Sequence, residues 1–216
     1  MKVGVDSVLF GAAVSFNAPK IVLDIGAGTG LLSFMAFQRS KAEIYAVEIE
    51  EKAYLECLKN IELNNKEQYI KVHLISFQEF ANQSEIKFDH IITNPPWFDG
   101  SFQSPDIKRS MARQNLSLTP QEIITGVDQL LSNSGIFSVI IPYKYHFNWI
   151  QEAEKVHLHC FKKLKIRPNI NKDFNRIILE FSRKMIDSKI DEICIRTGES
   201  GQYTDEYRKL TEDFYL

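Results

Sequence analysis

The sequence predicts an α/β fold: a doubly wound, mostly parallel seven-stranded sheet with an antiparallel edge at its C-terminal end. Three observations lead there. Short runs rich in Ile, Val and Leu recur along the chain, amphipathic stretches of helical length separate most of them, and only a loop joins the last two. Strands connected through helices pair in parallel with right-handed crossovers, whereas strands connected by a loop can pair antiparallel.

The elements follow in chain order. Residues 20–25 (KIVLDI) form a buried strand, and residues 30–39 an apolar helix. Residues 43–48 (EIYAVE) are the second strand. Residues 51–64 carry Ala53, Leu55, Leu58, Ile61 and Leu63 on a helical repeat that ends at Asn64-Asn65. Residues 71–75 and 88–93 (FDHIIT) are the third and fourth strands. Thr119-Pro120 starts a helix that runs to Leu131, because proline suits a first turn, and Ser134-Gly135 stops it. Residues 136–141 (IFSVII) are the fifth strand, residues 145–156 a helix, and residues 159–166 and 176–181 the last two strands. No internal repeat or low-complexity tract interrupts this order, so residues 1–216 are expected to form a single domain.

Composition narrows the class. With 44% hydrophobic and 25% charged residues, the chain can bury a full core. Cys57, Cys160 and Cys194 are widely spaced and odd in number, which argues against a disulfide framework or a zinc site and for a reducing, cytoplasmic setting. The apolar run from Val8 to Phe16 loosely resembles a signal peptide, but Asp6 precedes it, and cleavage would leave the chain starting almost directly on a core strand. No segment approaches the ~20 continuous apolar residues that span a bilayer, so no membrane partner is expected. The net charge of −2 hides an asymmetry: residues 140–186 hold ten Lys/Arg against four acids. A basic stretch in an acidic chain suits a polyanion, and it equally suits a solvated surface.

The first strand leads into Asp24-Ile-Gly-Ala-Gly-Thr-Gly30. Gly26, Gly28 and Gly30 permit a tight turn and close approach by a ligand, at the point where such sheets bind nucleotides. The dinucleotide fingerprint G-x-G-x-x-G asks for Gly or Ala at position 31, which is Leu31. An acid just before the glycines does not suit a pyrophosphate. It suits a cation such as the ammonium and sulfonium of S-adenosylmethionine. Glu48, closing the second strand, can accept both hydroxyls of a ribose. Together these residues favour S-adenosylmethionine over a nicotinamide dinucleotide.

The fourth strand runs into Asn94-Pro95-Pro96-Trp97. Beside the end of the first strand, the Asn94 side-chain oxygen and the Pro95 carbonyl can accept both protons of a planar amine such as adenine N6. Tandem prolines fix the backbone that carries those acceptors. Trp97 offers a flat face on which a base can stack.

Asp24–Gly30, Glu48 and Asn94–Trp97 resemble the motifs of class I S-adenosylmethionine-dependent methyltransferases that modify exocyclic or amide nitrogens. The stretches "MKVGVDSVLFGAA", "RSMARQNLSL" and "GQYTDEYRKLTEDFYL" resemble the tRNA1(Val) (adenine-37-N6)-methyltransferase family, so the likeness covers nearly the whole chain. It implies a Rossmann-like enzyme that uses S-adenosylmethionine to methylate the N6 amine of an adenine in tRNA, with Asn94, Pro95, Pro96 and Trp97 at the reacting amine. It also implies a cofactor site of Asp24, Gly26, Gly28, Gly30, Glu48, Ile49, Ser76 and Phe77. There Ser76 would accept a hydrogen bond from the adenine amino group and Phe77 would lie against the ring.

Three departures from the family are read in the chain: the usual segment ahead of "MKVG" is absent, Val5 replaces a Thr, and Ser76 replaces an acid. The last implies weaker cofactor affinity. For tRNA contact the expected cations are Lys108, Arg109 and Arg113, with Lys162, Lys163 and Lys165 on one later strand, in a cytoplasmic monomer. Three alternatives stay open: methylation of a protein glutamine at N5, methylation of an rRNA guanine at N2, and a non-catalytic RNA-binding module of the same fold.

Overall fold

The computed structural model describes residues 4–96, 118–198 and 201–214. Eight strands form one sheet in the order β3-β2-β1-β4-β5-β7-β6-β8. They are β1 (Ile21–Ile25), β2 (Glu43–Glu48), β3 (Ile70–Leu74), β4 (Phe88–Thr93), β5 (Leu131–Pro142), β6 (His159–Asn169), β7 (Arg176–Ser182) and β8 (Lys189–Arg196). Every neighbouring pair is parallel except the two made by β7, which runs against both β5 and β6. The fold is therefore the mostly parallel α/β class that the sequence predicts, with two additions. The antiparallel strand is not at the rim; it slots between β5 and β6. An eighth strand, β8, covers the edge of β6 in parallel register. Only Ile193 and Ile195 of β8 are buried apolar residues, while Ile190 is exposed, so its sequence carries little strand signal.

Helices cover both faces. On one side lie α4 (Phe77–Gln83), α5 (Pro120–Leu130) and α6 (His146–Glu154), packed on a core that includes Phe88, Phe137, Trp149 and Phe181. On the other lie α1 (Val5–Ala13), α2 (Leu31–Ser40), α3 (Glu51–Leu63) and α7 (Asp205–Thr211), over Val22, Ile44, Ile92 and Ile178. The N-terminal apolar run is a core helix, with Val8, Leu9 and Phe10 buried. Thr119 caps α5 through a reciprocal capping box with Glu122, with Pro120 in the first turn as its sequence predicts. No helix among the described residues is long and apolar enough to cross a membrane.

Strand order reverses between β1 and β4, which lie side by side although the chain between them first builds β2 and β3 outward. The crevice outside the carboxyl ends of such strands is where open α/β sheets bind ligands. The glycine turn after β1, Glu48 at the end of β2 and Asn94 after β4 all lie at that rim.

Candidate active site

The turn after β1 is stitched to β2. The amides of Gly26 and Ala27 both donate to the Val47 carbonyl, at 2.9 and 3.1 Å, and Gly28 N–H donates to Glu48 Oε2 at 2.8 Å. Gly26 has φ +72°, and a side chain there would meet open space, so the left-handed backbone rather than crowding calls for glycine. Gly30 has φ +90°, and a Cβ would lie 2.8 Å from Cys57 Sγ, so conformation and space both require glycine where α2 begins. Across β1, Thr93 Oγ1 donates to the Ile25 carbonyl at 2.9 Å and ties the end of β4 to the start of the turn.

Asp24 is fully buried beneath this turn. Its Oδ2 accepts a 2.7 Å hydrogen bond from Ser33 Oγ, while Oδ1 has no partner. Burial pushes its pKa up to about 7; the Ser33 hydrogen bonds oppose the rise and the charge of Glu48 adds to it. A buried carboxylate oxygen left without a donor is costly. A cationic ligand in the crevice is the kind of group that would offset that cost, so the residues present fit the ammonium and sulfonium of S-adenosylmethionine.

Glu48 is almost fully buried and its orientation is fixed. Besides Gly28, it accepts the amides of Ile49 and Glu50, each at 2.8 Å on Oε1. An ionised carboxylate has about four acceptor positions, so three backbone donors leave one for a ribose hydroxyl. Ile49 beside it is 44% exposed and presents an apolar surface at the rim. The end of β3 is drawn in by the bond from Ile75 N–H to the Glu48 carbonyl at 3.0 Å.

Of the two cofactor contacts expected after β3, Ser76 is shared with a helix cap and Phe77 is turned into the core. Ser76 is the N-cap of α4: its hydroxyl accepts from Glu79 N–H at 3.2 Å and donates to Glu79 Oε2 at 2.6 Å. That capping box uses the hydroxyl's proton and one of its two lone pairs, so one acceptor position remains for an adenine amine. Phe77 is only 4% exposed, with its ring against Gly126 and Ala81 in the core between α4 and α5, so it offers no face at the rim.

After β4, Pro95 is buried and Pro96 exposed, and the half-buried Asn94 side chain donates from Nδ2 to Ser7 Oγ of α1 at 2.8 Å. With Nδ2 directed at Ser7, the Asn94 oxygen is left as an acceptor without a hydrogen-bond partner among the described residues. Sequence reasoning missed Ser7, because no local pattern links it to a residue four strands further along the chain. Trp97, Lys108, Arg109 and Arg113 lie outside the described residues. His90, in the middle of β4, is buried and bonded through Nε2 to Ser138 Oγ at 2.8 Å. Burial, helped by the Arg39 charge, pushes its pKa down to about 3, so it is a neutral core residue at physiological pH.

The basic stretch is largely paired. Lys162 is withdrawn from the surface: its Nζ lies 2.7 Å from the fully buried Glu180 and donates to Ala13 O and Ser15 Oγ, both at 3.0 Å. This corrects its assignment to RNA. Lys165 lies 3.2 Å from Glu192, and Arg167, Arg176 and Arg183 pair with Glu192, Asp6 and Asp128. Lys163 points to the opposite face of β6 from Lys162 and, among the described residues, makes no ion pair.

Comparison with known proteins agrees with this geometry. Residues 5–142 match the methyltransferase small domain family. Over the whole chain, the sequence is 36% identical to a tRNA1(Val) (adenine(37)-N6)-methyltransferase of Flavobacterium johnsoniae, covering 93% of that protein. It is 30% identical to the protein of the same name from Proteus mirabilis, covering 88% of it. Among solved structures, a predicted O-methyltransferase from Agrobacterium tumefaciens superimposes with a TM-score of 0.74 at 16% identity, over 96% of this chain and 95% of that one. A ribosomal protein L11 methylase from Lactobacillus delbrueckii subsp. bulgaricus gives 0.59 at 19% identity, over 83% and 77%. At such identities these two likenesses speak to the fold.

Proposed function

Because this chain belongs to the methyltransferase small domain family, and within it to the tRNA1(Val) (adenine(37)-N6)-methyltransferases, we propose that it methylates the N6 amine of adenine 37 in that tRNA. The observation that carries the reading is the Asn94 amide, held by Ser7 at the same switch-point rim as the glycine turn and Glu48. S-adenosylmethionine, when bound, supplies an electrophilic methyl group on a sulfonium. The chain's own part is alignment. Asn94 Oδ1 and the Pro95 carbonyl accept the two amine protons and orient the nitrogen lone pair for in-line attack. Asp24 takes the cationic end of the cofactor, Glu48 the ribose, and Gly26 leaves room for close approach. Trp97 stacks on the target base, and Lys108, Arg109 and Arg113 meet the phosphates. The reading includes a monomer acting in the cytoplasm.

The experiment is incubation of unmodified tRNA with labelled S-adenosylmethionine, followed by nucleoside analysis. N6-methyladenosine is the expected product. Label in N2-methylguanosine, in a protein glutamine or nowhere would each overturn the proposal.

Two predictions follow for the cofactor pocket. Glu48→Ala is expected to weaken S-adenosylmethionine by about 1–3 kcal/mol, the scale of lost hydrogen bonds to a charged group. Unchanged affinity by calorimetry would remove Glu48 from the site. The second concerns pH. Asp24 holds its proton up to about 7 in the fold, whereas an unfolded chain releases it near ~3.9. The ligand-free protein therefore binds the extra proton, and its stability is expected to fall as pH rises across that window and to level off above it. A cation at Asp24 favours the ionised form. Cofactor affinity is thus expected to rise as pH approaches 7, by at most about tenfold per unit. Asp24→Asn flattens both trends, read by urea unfolding and calorimetry. A variant that keeps the wild-type pH dependence would contradict the assignment.

A further inference from the structure

Just past the end of β5, the chain builds a row of rings beside the site. Arg167 Cζ sits 4.2 Å from the centroid of Phe174, whose ring lies 5.4 Å from that of Tyr143. Tyr143 stacks on His146 at 4.7 Å, and His146 lies 4.1 Å from Phe147. The row is built on backbone: Tyr143 N–H donates to Asn175 O at 3.1 Å, Asn175 N–H to Ile166 O at 3.0 Å, and His146 Nδ1 lies 2.6 Å from the Tyr143 carbonyl. Its outer end is bare, for Phe147 is 71% exposed.

The row is also linked to Asn94 through α1. Asp6 bonds Arg176 at 2.9 Å, next to Asn175, and the following residue, Ser7, bonds Asn94 at 2.8 Å. Two adjacent residues of α1, Asp6 and Ser7, thus tie the strand that follows the row's inner end and the Asn94 amide to the same helix turn. An exposed phenylalanine continuing a row of ring contacts serves no core. Lys165 and Arg167 share the one carboxylate of Glu192, and Lys144 Nζ lies 4.9 Å from the centroid of the Tyr145 ring, so the surface joins aromatic faces to a modest positive charge. Every base has a π-face, and stacking on aromatic side chains holds single-stranded RNA with little sequence preference.

We infer that this row, with Phe147 as its open end, takes the unpaired bases next to the target adenine. The inference rests on the tRNA reading above and deepens it.

The test measures binding of a labelled anticodon stem-loop RNA to the full chain, at about 50 mM and about 300 mM salt. Phe147→Ala is expected to weaken binding about tenfold or more at both salts, with S-adenosylmethionine affinity and melting temperature unchanged. Phe147→Trp is expected to retain wild-type affinity, and so is Ile170→Ala, an exposed apolar residue off the row. If wild type binds the RNA and Phe147→Ala binds it equally well, the inference is wrong while the tRNA reading stands. A loss confined to low salt would mean a charge effect and would also overturn it. If wild type binds no RNA at either salt, the tRNA reading itself falls, and this surface with it.

Discussion

Asn94→Ala is expected to cut methyl transfer by about 10²-fold or more while leaving S-adenosylmethionine affinity within about twofold. The amide sits after β4, not in the glycine turn, and its partner is Ser7 on α1 rather than any cofactor-side group. Its proposed task is to hold one proton of the target amine, so removing it leaves the two reactants bound but misaligned. Displacements near 1 Å are enough to cost about 10²-fold when a reaction depends on in-line geometry. Asn94→Asp tests the same point with a different charge, keeping the acceptor but losing the donor that Ser7 receives. Ser7→Ala is expected to lower kcat less than Asn94→Ala does, at unchanged KM for tRNA, because the amide then samples other rotations. Single-turnover rates with pre-bound cofactor provide the measurement. An Asn94→Ala enzyme retaining more than about a tenth of wild-type turnover would mean that alignment is supplied elsewhere.

What could be read in the sequence was the chemistry that sits on contiguous residues. Asp24 and its three glycines, Glu48 at a strand end and Asn94 before two prolines each declare themselves within a few positions, and the sheet brings all three to one rim. What could not be read depends on partners distant in sequence. Ser7 and Asn94 are 87 positions apart, and no periodicity announces their bond. Lys162 and Lys165 look alike on a strand, yet the former sits on the face covered by α1, where Glu180 waits on β7. Ser76 resembles a free polar residue after a strand until Glu79, three positions on, is recognised as the other half of a capping box. Phe77 is set against the cofactor ring only by the family resemblance, whereas the short helix it opens turns its ring onto α5.

Lys162→Met is the change expected to cost most in stability, about 3 kcal/mol or more, while leaving the salt slope of tRNA binding unchanged. Glu180 is fully buried, and its carboxylate gathers Lys162 Nζ at 2.7 Å, Ser15 Oγ at 3.1 Å and Ser15 N–H at 3.2 Å. Removing the lysine strands that charge in the core, which is far more costly than removing the whole pair. Arg39 feels the same carboxylate but is bonded to the Gly11 and Val14 carbonyls, so it compensates only in part. Lys162 also holds the Ala13 carbonyl at the end of α1, the helix that presents Ser7 to Asn94. Loss of this anchor therefore loosens the site as well as the fold. Replacing the pair together, Lys162→Met with Glu180→Leu, is expected to recover most of the loss, because no orphan charge remains. Urea unfolding of the two single variants and the double variant gives the coupling directly. An RNA-contacting lysine behaves differently: its removal barely changes stability and lowers the salt slope of RNA binding by roughly 0.7 to 0.9. If Lys162→Met unfolds like wild type and flattens that slope, the lysine belongs to the RNA surface and the buried pair is not what anchors α1.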